Sequence, residues 1–194
     1  GNILLTGRYA SSLITFGTTT FSNLSMYPDF FIVKYDASGN VLWAKSAGGN
    51  STDEGTAIST DINGNILVTG YFDSPSITFG GTTLTNTNTG GEDIFIVKYD
   101  ASGNVLWAKS AVGSFADHSE GITTDAIGNV LVTGYFNSPS ITFGATTLIN
   151  TTAGNLDFFI VKYDTSGNVL WAESAGGTDD DGSHDISTDA MGNV

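Results

Sequence analysis

Phe31-Ile-Val-Lys-Tyr-Asp-Ala-Ser-Gly-Asn-Val-Leu-Trp-Ala-Lys-Ser-Ala47 recurs unchanged at Phe95 to Ala111 and slightly altered at Phe159 to Ala175. Trp43, Trp107 and Trp171 mark the same point in each copy, so the chain repeats with a period of 64 residues. A period of this length signals supersecondary units that are stacked or arrayed radially. Within the stretch, alternation puts Phe31, Val33 and Tyr35 on one face of a strand and Ile32, Lys34 and Asp36 on the other. Asp36-Ala-Ser-Gly-Asn40 then reads as a type I turn with a bulge, because the Asp accepts local backbone hydrogen bonds and Gly39 is free to take a positive φ. Val41 to Ala47 must therefore fold back antiparallel.

Working outward, Gly1 to Tyr9, Gly64 to Phe72 and Gly128 to Phe136 are rich in β-branched and aromatic residues and read as one strand in three copies. Ile14 to Phe21, Ile77 to Leu84 and Ile141 to Leu148 alternate apolar residues with threonine around a glycine, which predicts a short hairpin in each unit. Thr85 to Gly91 and Asn150 to Asn155 are polar, differ between copies and read as exposed loops. The Asp-x-x-Gly-Asn chemistry returns at Asp61 to Asn65, Asp125 to Asn129 and Asp189 to Asn193. Ahead of it, Gly48 to Gly55 reads as an acidic variable loop, followed by a short strand at Ala57 to Thr60 with counterparts at Gly121 to Thr124 and Asp185 to Thr188.

One unit thus runs short strand, turn, strand, inserted hairpin, strand, turn, tryptophan strand. Four principal strands in an up-and-down meander make one blade of a β-propeller. The expected fold is all-β: three four-stranded antiparallel blades of about 64 residues, each with an inserted hairpin. The divisions expected are 1–55 for a first blade lacking its first strand, 56–119 and 120–183 for two complete blades, and 184–194 for the first strand of a further blade.

Composition agrees with strands and turns: 40% hydrophobic, 13% charged, and much of the remainder Gly, Thr, Ser and Asn. Six basic against twenty acidic residues leave a net charge of −14, which repels a phosphate backbone or an anionic membrane surface and leaves divalent cations and basic surfaces as partners. Nucleic acid is excluded on that ground. With no cysteine there is neither a disulfide framework nor a thiolate zinc site. No apolar run approaches the roughly 18 to 20 residues that span a bilayer as a helix, so membrane insertion is not expected.

The pattern Asp-x-Phe-Ile-Val-Lys-Tyr-Asp-x-Ser-Gly-Asn-Val-Leu-Trp-Ala, then Gly-Gly and an acidic loop, then Asp-x-x-Gly-Asn-x-Leu-Val-Thr-Gly, resembles the bacterial beta-propeller repeat called SBBP. The resemblance covers essentially the whole chain in three copies. It implies a large, secreted or surface-attached bacterial protein, hence an extracellular or cell-surface location, and brings no catalytic residue, because the family is defined by blade-forming positions. The inserted hairpin departs from the shortest members.

Three blades are too few for an ordinary ring, which takes about four to eight. Three arrangements cover the exposed blade faces and edges. The chain is a window from a longer repetitive protein, the reading favoured by the initial Gly1 and the cut inside a turn; or two copies meet head to tail in a six-bladed ring; or the contact fails to close and propagates as a fibre. The partners expected are thus further copies of the chain or neighbouring repeats.

Among residues able to carry chemistry, Asp53, Asp117 and Asp181 are in register, and the third copy expands to Asp179, Asp180, Asp181 and Asp185. Clustered carboxylates beside glycine suit a hard cation, so calcium is the candidate ligand of these six residues, although the full calcium-loop pattern is missing. The bland reading is a solvated loop, or an Asp that caps a turn. His118 and His184 align with Glu54 and Thr56 and have no second histidine at metal-ligand spacing, which argues against catalytic zinc. No Gly-x-Ser-x-Gly elbow is present, and the Gly-Gly pairs at Gly48, Gly80, Gly90 and Gly176 lack a phosphate-binding lysine. The three tryptophans read either as a stacking platform for a glycan or, more simply, as packing between adjacent blades. Lys34, Lys98 and Lys162 recur opposite carboxylates and suggest ion pairs from blade to blade. The alternating threonines of the hairpins suit an adhesive or ice-binding surface and equally any exposed strand. A non-enzymatic structural or interaction module is the functional expectation, with a glycan- or calcium-binding propeller as the alternative.

Overall fold

The computed structural model describes residues 1–86, 91–152, 154–189 and 191–194, and among them every regular element is a β-strand. The first repeat contributes β1 (Ile3–Tyr9), β2 (Leu13–Phe16), β3 (Thr19–Ser22), β4 (Asp29–Tyr35) and β5 (Val41–Ala47). The second contributes β6 (Asp53–Thr60), β7 (Ile66–Phe72), β8 (Ser76–Phe79), β9 (Thr82–Thr85), β10 (Asp93–Tyr99) and β11 (Val105–Ala111). The third follows as β12 (Asp117–Thr124), β13 (Val130–Phe136), β14 (Ser140–Phe143), β15 (Thr146–Ile149), β16 (Asp157–Tyr163) and β17 (Val169–Ala175). These pair as a three-stranded sheet β1-β4-β5, two four-stranded sheets β6-β7-β10-β11 and β12-β13-β16-β17, and three separate hairpins β2-β3, β8-β9 and β14-β15. We call the three larger sheets 1, 2 and 3.

The turns form as their chemistry dictates. Asp36 N–H donates to Asn40 O (2.9 Å) and Gly39 N–H to Asp36 O (3.1 Å), while Asp36 Oδ1 accepts from the backbone N–H of Ser38 and Asn40. Gly39 has a φ of 83°, open to glycine at no steric cost, and the register slips between Lys34 and Tyr35 as a bulge requires. The same bonds recur at Asp61, Asp100, Asp125, Asp164 and Asp189. Hydrogen bonding from Asn40 and its equivalents favours the ionised form and holds Asp36, Asp100, Asp164 and Asp189 below the usual carboxylate range.

Sheet 2 is apolar on both sides, which is why its strands read as nearly continuous hydrophobic runs. Phe95, Val97 and Tyr99 of β10 and Ile66, Val68 and Phe72 of β7 pack with Phe30 and Ile32 of sheet 1. The alternate residues Leu67, Ile94 and Ile96 pack with Val130, Val132, Phe159 and Val161 of sheet 3. Each hairpin seals one edge of such a layer: the rings of Phe30, Phe79 and Phe95 meet at centroid distances of 5.0 to 5.6 Å, and Phe143 meets Phe159 at 4.9 Å. On the hairpin surfaces Thr15 and Thr20, Thr78 and Thr83, and Thr142 and Thr147 pair their hydroxyls across the strands.

The first sheet has three strands, β1 standing at the place taken by the second strand in the other sheets. Two details differ from the sequence reading. The first strand of sheets 2 and 3 starts at Asp53 and Asp117, not at Ala57 and Gly121, so residues 53–55 and 117–119 belong with the sheet that follows; a bulge at Gly55/Ala57 and Ser119/Gly121 hid the continuation from period-two reading. Asn150, read as exposed, is buried, as are its equivalents Asn23 and Asn86, and its amide donates to Phe136 O at 3.2 Å and to Asn155 O at 2.9 Å. Part of the Thr85 to Gly91 loop, residues 87–90, lies outside the described residues.

Phe95→Ala should cost about 3 to 5 kcal/mol, the usual loss for a fully buried aromatic ring. Trp171→Ala, at the uncovered end of sheet 3, should cost about 1 kcal/mol or less. Urea denaturation of the two variants beside the wild-type chain would measure the difference.

Candidate functional site: the joints between sheets

Each sheet locks to the next through the same few groups, 64 residues apart. Trp43 Nε1 of sheet 1 donates to Ala101 O in a turn of sheet 2 (3.2 Å), and Trp107 Nε1 of sheet 2 donates to Thr165 O of sheet 3 (3.1 Å). Their rings lie 6.3 Å from those of Tyr99 and Tyr163. The packing reading of the tryptophans therefore holds at both joints. Trp171, against which no sheet packs among the described residues, is 37% exposed.

The lysines act otherwise than expected. Lys98 Nζ and Lys162 Nζ sit 2.9 Å from Asp61 Oδ2 and Asp125 Oδ2. Each pair joins a strand to a turn of its own sheet rather than two sheets. The Lys98 pair is almost wholly buried, so each charge depends on the other for its solvation. Burial works against the Asp61 charge, but bonds from Asn65 and Lys98 prevail and hold its carboxyl below the ordinary range. Lys34 is the lysine that crosses a joint, donating to Ala101 O at 2.8 Å.

Nearer the first strands, hydroxyls make the connection. Ser119 Oγ of sheet 3 accepts from Thr69 Oγ1 (2.7 Å) and donates to Gly70 O (2.9 Å) of sheet 2. Thr56 Oγ1 donates to Ser119 O (2.6 Å) and Thr124 Oγ1 to Thr60 O (3.2 Å). The segment 181–188 repeats these contacts on sheet 3: Ser183 Oγ bonds Thr133 Oγ1 and donates to Gly134 O (3.1 Å), Thr188 Oγ1 donates to Thr124 O (2.8 Å), and Asp181 N–H donates to Leu156 O (2.8 Å). These bonds hold it alongside sheet 3, although it pairs with no strand among the described residues.

At one end of each joint lies a pair of carboxylates. Asp53 Oδ2 accepts from Ser74 Oγ (2.7 Å) and Gly49 N–H (3.0 Å), and Asp117 Oδ2 accepts from Ser138 Oγ (2.7 Å). Asp29 faces Asp53, and Asp93 faces Asp117; all four are buried, and Asp29 Oδ1 and Asp93 Oδ2 find no hydrogen-bond partner. Burial pushes Asp53 and Asp93 up to about 7 and Asp117 to about 6, and raises Asp29; the neighbouring carboxylate adds to the rise at Asp53 and Asp93. In the third copy Asp157 is buried and accepts from Thr151 N–H and Oγ1, while Asp181 is half-buried.

Of the six calcium candidates, Asp53 and Asp117 therefore lie inside the joints rather than in loops. Asp179, Asp180 and Asp185 are exposed, with Asp180 Oδ1 accepting from Leu156 N–H and Asp185 Oδ1 from Ile186 N–H. Among the described residues no group of three or more His, Asp or Glu side chains converges as metal ligands do. Sequence reading missed the partner acids Asp29, Asp93 and Asp157. The signal was present in their recurrence at strand starts, together with Ser74 and Ser138 ahead of a proline.

Alongside the acids runs a row that does vary between copies. Arg8 Nη1 lies 2.9 Å from Glu54 Oε2, which also accepts from Tyr71 Oη at 2.8 Å. Tyr71 stacks on His118 at 4.2 Å, and His118 on Tyr135 at 5.2 Å.

Small antiparallel sheets joined face to face by a repeated set of contacts define a propeller-repeat protein. Residues 42–73 match the SBBP beta-propeller repeat, and the chain carries that repeat. It is 32% identical over 180 residues to an uncharacterized WD repeat-containing protein of Acanthamoeba polyphaga mimivirus, a match covering 79% of this chain and 13% of that protein. It is 24% identical over 163 residues to the regulatory protein FlaEY of Caulobacter vibrioides, covering 81% of this chain and 17% of that protein. The chain thus spans a small fraction of the length of these relatives.

The raised acids set the sign of the pH dependence. An Asp whose folded pKa lies above its unfolded value binds its proton more tightly when folded, so its contribution to stability falls as pH rises from the unfolded value of about 4 through the folded one of about 7. The turn acids work the other way, their contribution being lost below about pH 4. Thermal melts should therefore show higher stability near about pH 5 than near about pH 8, and Asp93→Asn should flatten that slope.

Proposed function

We propose that the chain is a structural and protein-interaction module whose sheets are propeller blades, built to pack against further blades of the same kind, either in a longer chain or in another copy. One observation carries this reading: the two outer faces present the two halves of the joint that the inner faces already make. Ile3 and Leu5 on the outer face of sheet 1 are 55% and 48% exposed, whereas their equivalents Ile66 and Val68 are buried under the preceding sheet. At the other end Trp171 is uncovered where Trp43 and Trp107 reach into a following turn. Apolar faces of this kind mark contact surfaces rather than solvated ones. The joint is heterologous, so its repetition gives a ring where the rotation closes and a fibre where it does not.

The variable residues are spread along the joints rather than gathered around a nucleophile and base, which favours recognition or assembly over catalysis. The grooves agree: one lined by Lys45, Gly80, Tyr99 and Val105 recurs at the next joint as Lys109, Gly144, Tyr163 and Val169, as a packing seam does. An extracellular or cell-surface location goes with the resemblance to secreted repeat proteins. Sedimentation velocity across a concentration series, followed by negative-stain microscopy, tests the assembly. The expected outcome is mass growing with concentration into rings or filaments; a monomer at every concentration would remove it.

A further inference from the structure

The chain has six basic residues, and four of them are engaged within it. Arg8, Lys98 and Lys162 pair with Glu54, Asp61 and Asp125, and Lys34 donates to Ala101 O. Lys45 and Lys109 have neither an ion pair nor a hydrogen bond to their ammonium groups among the described residues. They are equivalents, and each lines a groove at an internal joint, of about 330 Å³ between sheets 1 and 2 and about 350 Å³ between sheets 2 and 3. Lys45 stands opposite the buried Ile32, and Lys109 opposite the buried Ile96, on the face that each sheet turns to the next. A methyl group on Gly103 would come within 3.0 Å of Trp43 Cδ2 and 3.3 Å of Lys45 Cε, and one on Gly167 within 2.9 Å of Trp107 Cδ2 and 3.1 Å of Lys109 Cε. Glycine at the turn thus lets the tryptophan ring and the lysine stem lie together against the backbone, which sets the ammonium at the same place in both grooves.

Tyr99 and Tyr163 line the same grooves and are each only 2% exposed. Burial raises both hydroxyls above their usual range, and neither has a hydrogen-bond partner among the described residues. Neither oxygen is among the buried ones sealed from solvent, so each opens onto the groove that its ring lines. A buried donor without an acceptor costs stability, which a ligand that accepts its bond restores. Asn104 and Asn168 also line the grooves; their amides donate to Asp100 and Asp164, which leaves the amide oxygens to accept.

We propose that each groove binds a sugar acid, its carboxylate on the lysine ammonium and its ring hydroxyls on the tyrosine hydroxyl and the asparagine amide oxygen. The volumes lie at the lower end of small-molecule pockets and suit one ring rather than a stretch of polymer. A single cation suits a single carboxylate, whereas a polyanion would meet the −14 charge of the chain. A donor and an acceptor beside that cation call for hydroxyls, which serve as both. Each groove is complete within one chain, so the inference goes beyond the assembly reading and does not depend on it.

Amide chemical-shift titration of the 194-residue chain with glucuronate is the test. The amides of Gly103 and Gly167 should both move, with glucose and acetate each binding at least about five-fold more weakly. Lys45→Met keeps the stem beside Trp43 and removes the charge; it should weaken binding about five-fold or more at Gly103 and leave Gly167 as it was, with Lys109→Met giving the reverse. Tyr99→Phe should weaken binding at Gly103 about two- to ten-fold. Raising sodium chloride from about 20 mM to about 500 mM should weaken both sites, a dependence that a merely structural role for the lysines would not give. Acetate binding as tightly as glucuronate would overturn the sugar acid, and an acetylated Asp-Ala dipeptide binding more tightly would overturn it in favour of an acidic peptide. Glycine amides unmoved at about 50 mM glucuronate would overturn the site itself.

Discussion

The structure depends on the burial of both faces of a strand that could otherwise have had one face in water. In a lone antiparallel sheet, Ile94 and Phe95 would point to opposite sides and one of them would be wet. Here the two sides receive different neighbours: Phe95 meets sheet 1 and Ile94 meets sheet 3. Stability in such arrays is approximately the sum of intrinsic terms and nearest-neighbour interface terms. Sheet 2 is flanked on both sides, and exposure rises towards both ends, at Ile3 and Leu5 on one side and Trp171 on the other.

Local chemistry makes that packing possible. The Asp-x-x-Gly-Asn turn satisfies its own backbone through one carboxylate, so the strands reverse tightly without help from the neighbouring sheet. The turn then presents a carbonyl outwards. Ala101 O takes both Trp43 Nε1 and Lys34 Nζ, and Thr165 O takes Trp107 Nε1. A device that ends one strand thereby becomes the receptor for the sheet before it.

Most of this was legible in the sequence because exact repetition removes the ambiguity of short apolar runs. Three tryptophans at one spacing, two turns of one design and three threonine hairpins left little freedom for the strand order. What could not be read was any feature in which period-two alternation is interrupted. The bulge at Gly55 shifted the face on which residues fall, so Asp53 and Glu54 looked like loop residues and Asp53, in register with Asp117 and Asp181, suggested a cation. In place they are strand residues, one buried against Ser74 and the other aimed across a joint at Arg8. The same limit applied to the lysines: a recurring Lys and a recurring Asp imply an ion pair, but only the pairing of strands tells that Lys98 and Asp61 share a sheet.

The buried acids change how the overall charge should be understood. A formal charge of −14 counts every carboxylate as ionised. Asp53 and Asp93, pushed up to about 7, and Asp117, at about 6, hold part of a proton each near neutrality, so the folded chain is less negative there than its composition states. These acids lie at the joints, where the paired residues Asp29 and Asp53, and Asp93 and Asp117, come from adjacent sheets. A fully ionised pair would repel across the contact that the apolar faces create, and Asp29 Oδ1 and Asp93 Oδ2 have no hydrogen-bond donor of their own to offset the repulsion. Protonation of one member of a pair removes that repulsion, which is the direction in which burial and the neighbouring carboxylate move Asp53 and Asp93. The contribution of these acids to stability therefore falls as the solution passes from mildly acidic to alkaline.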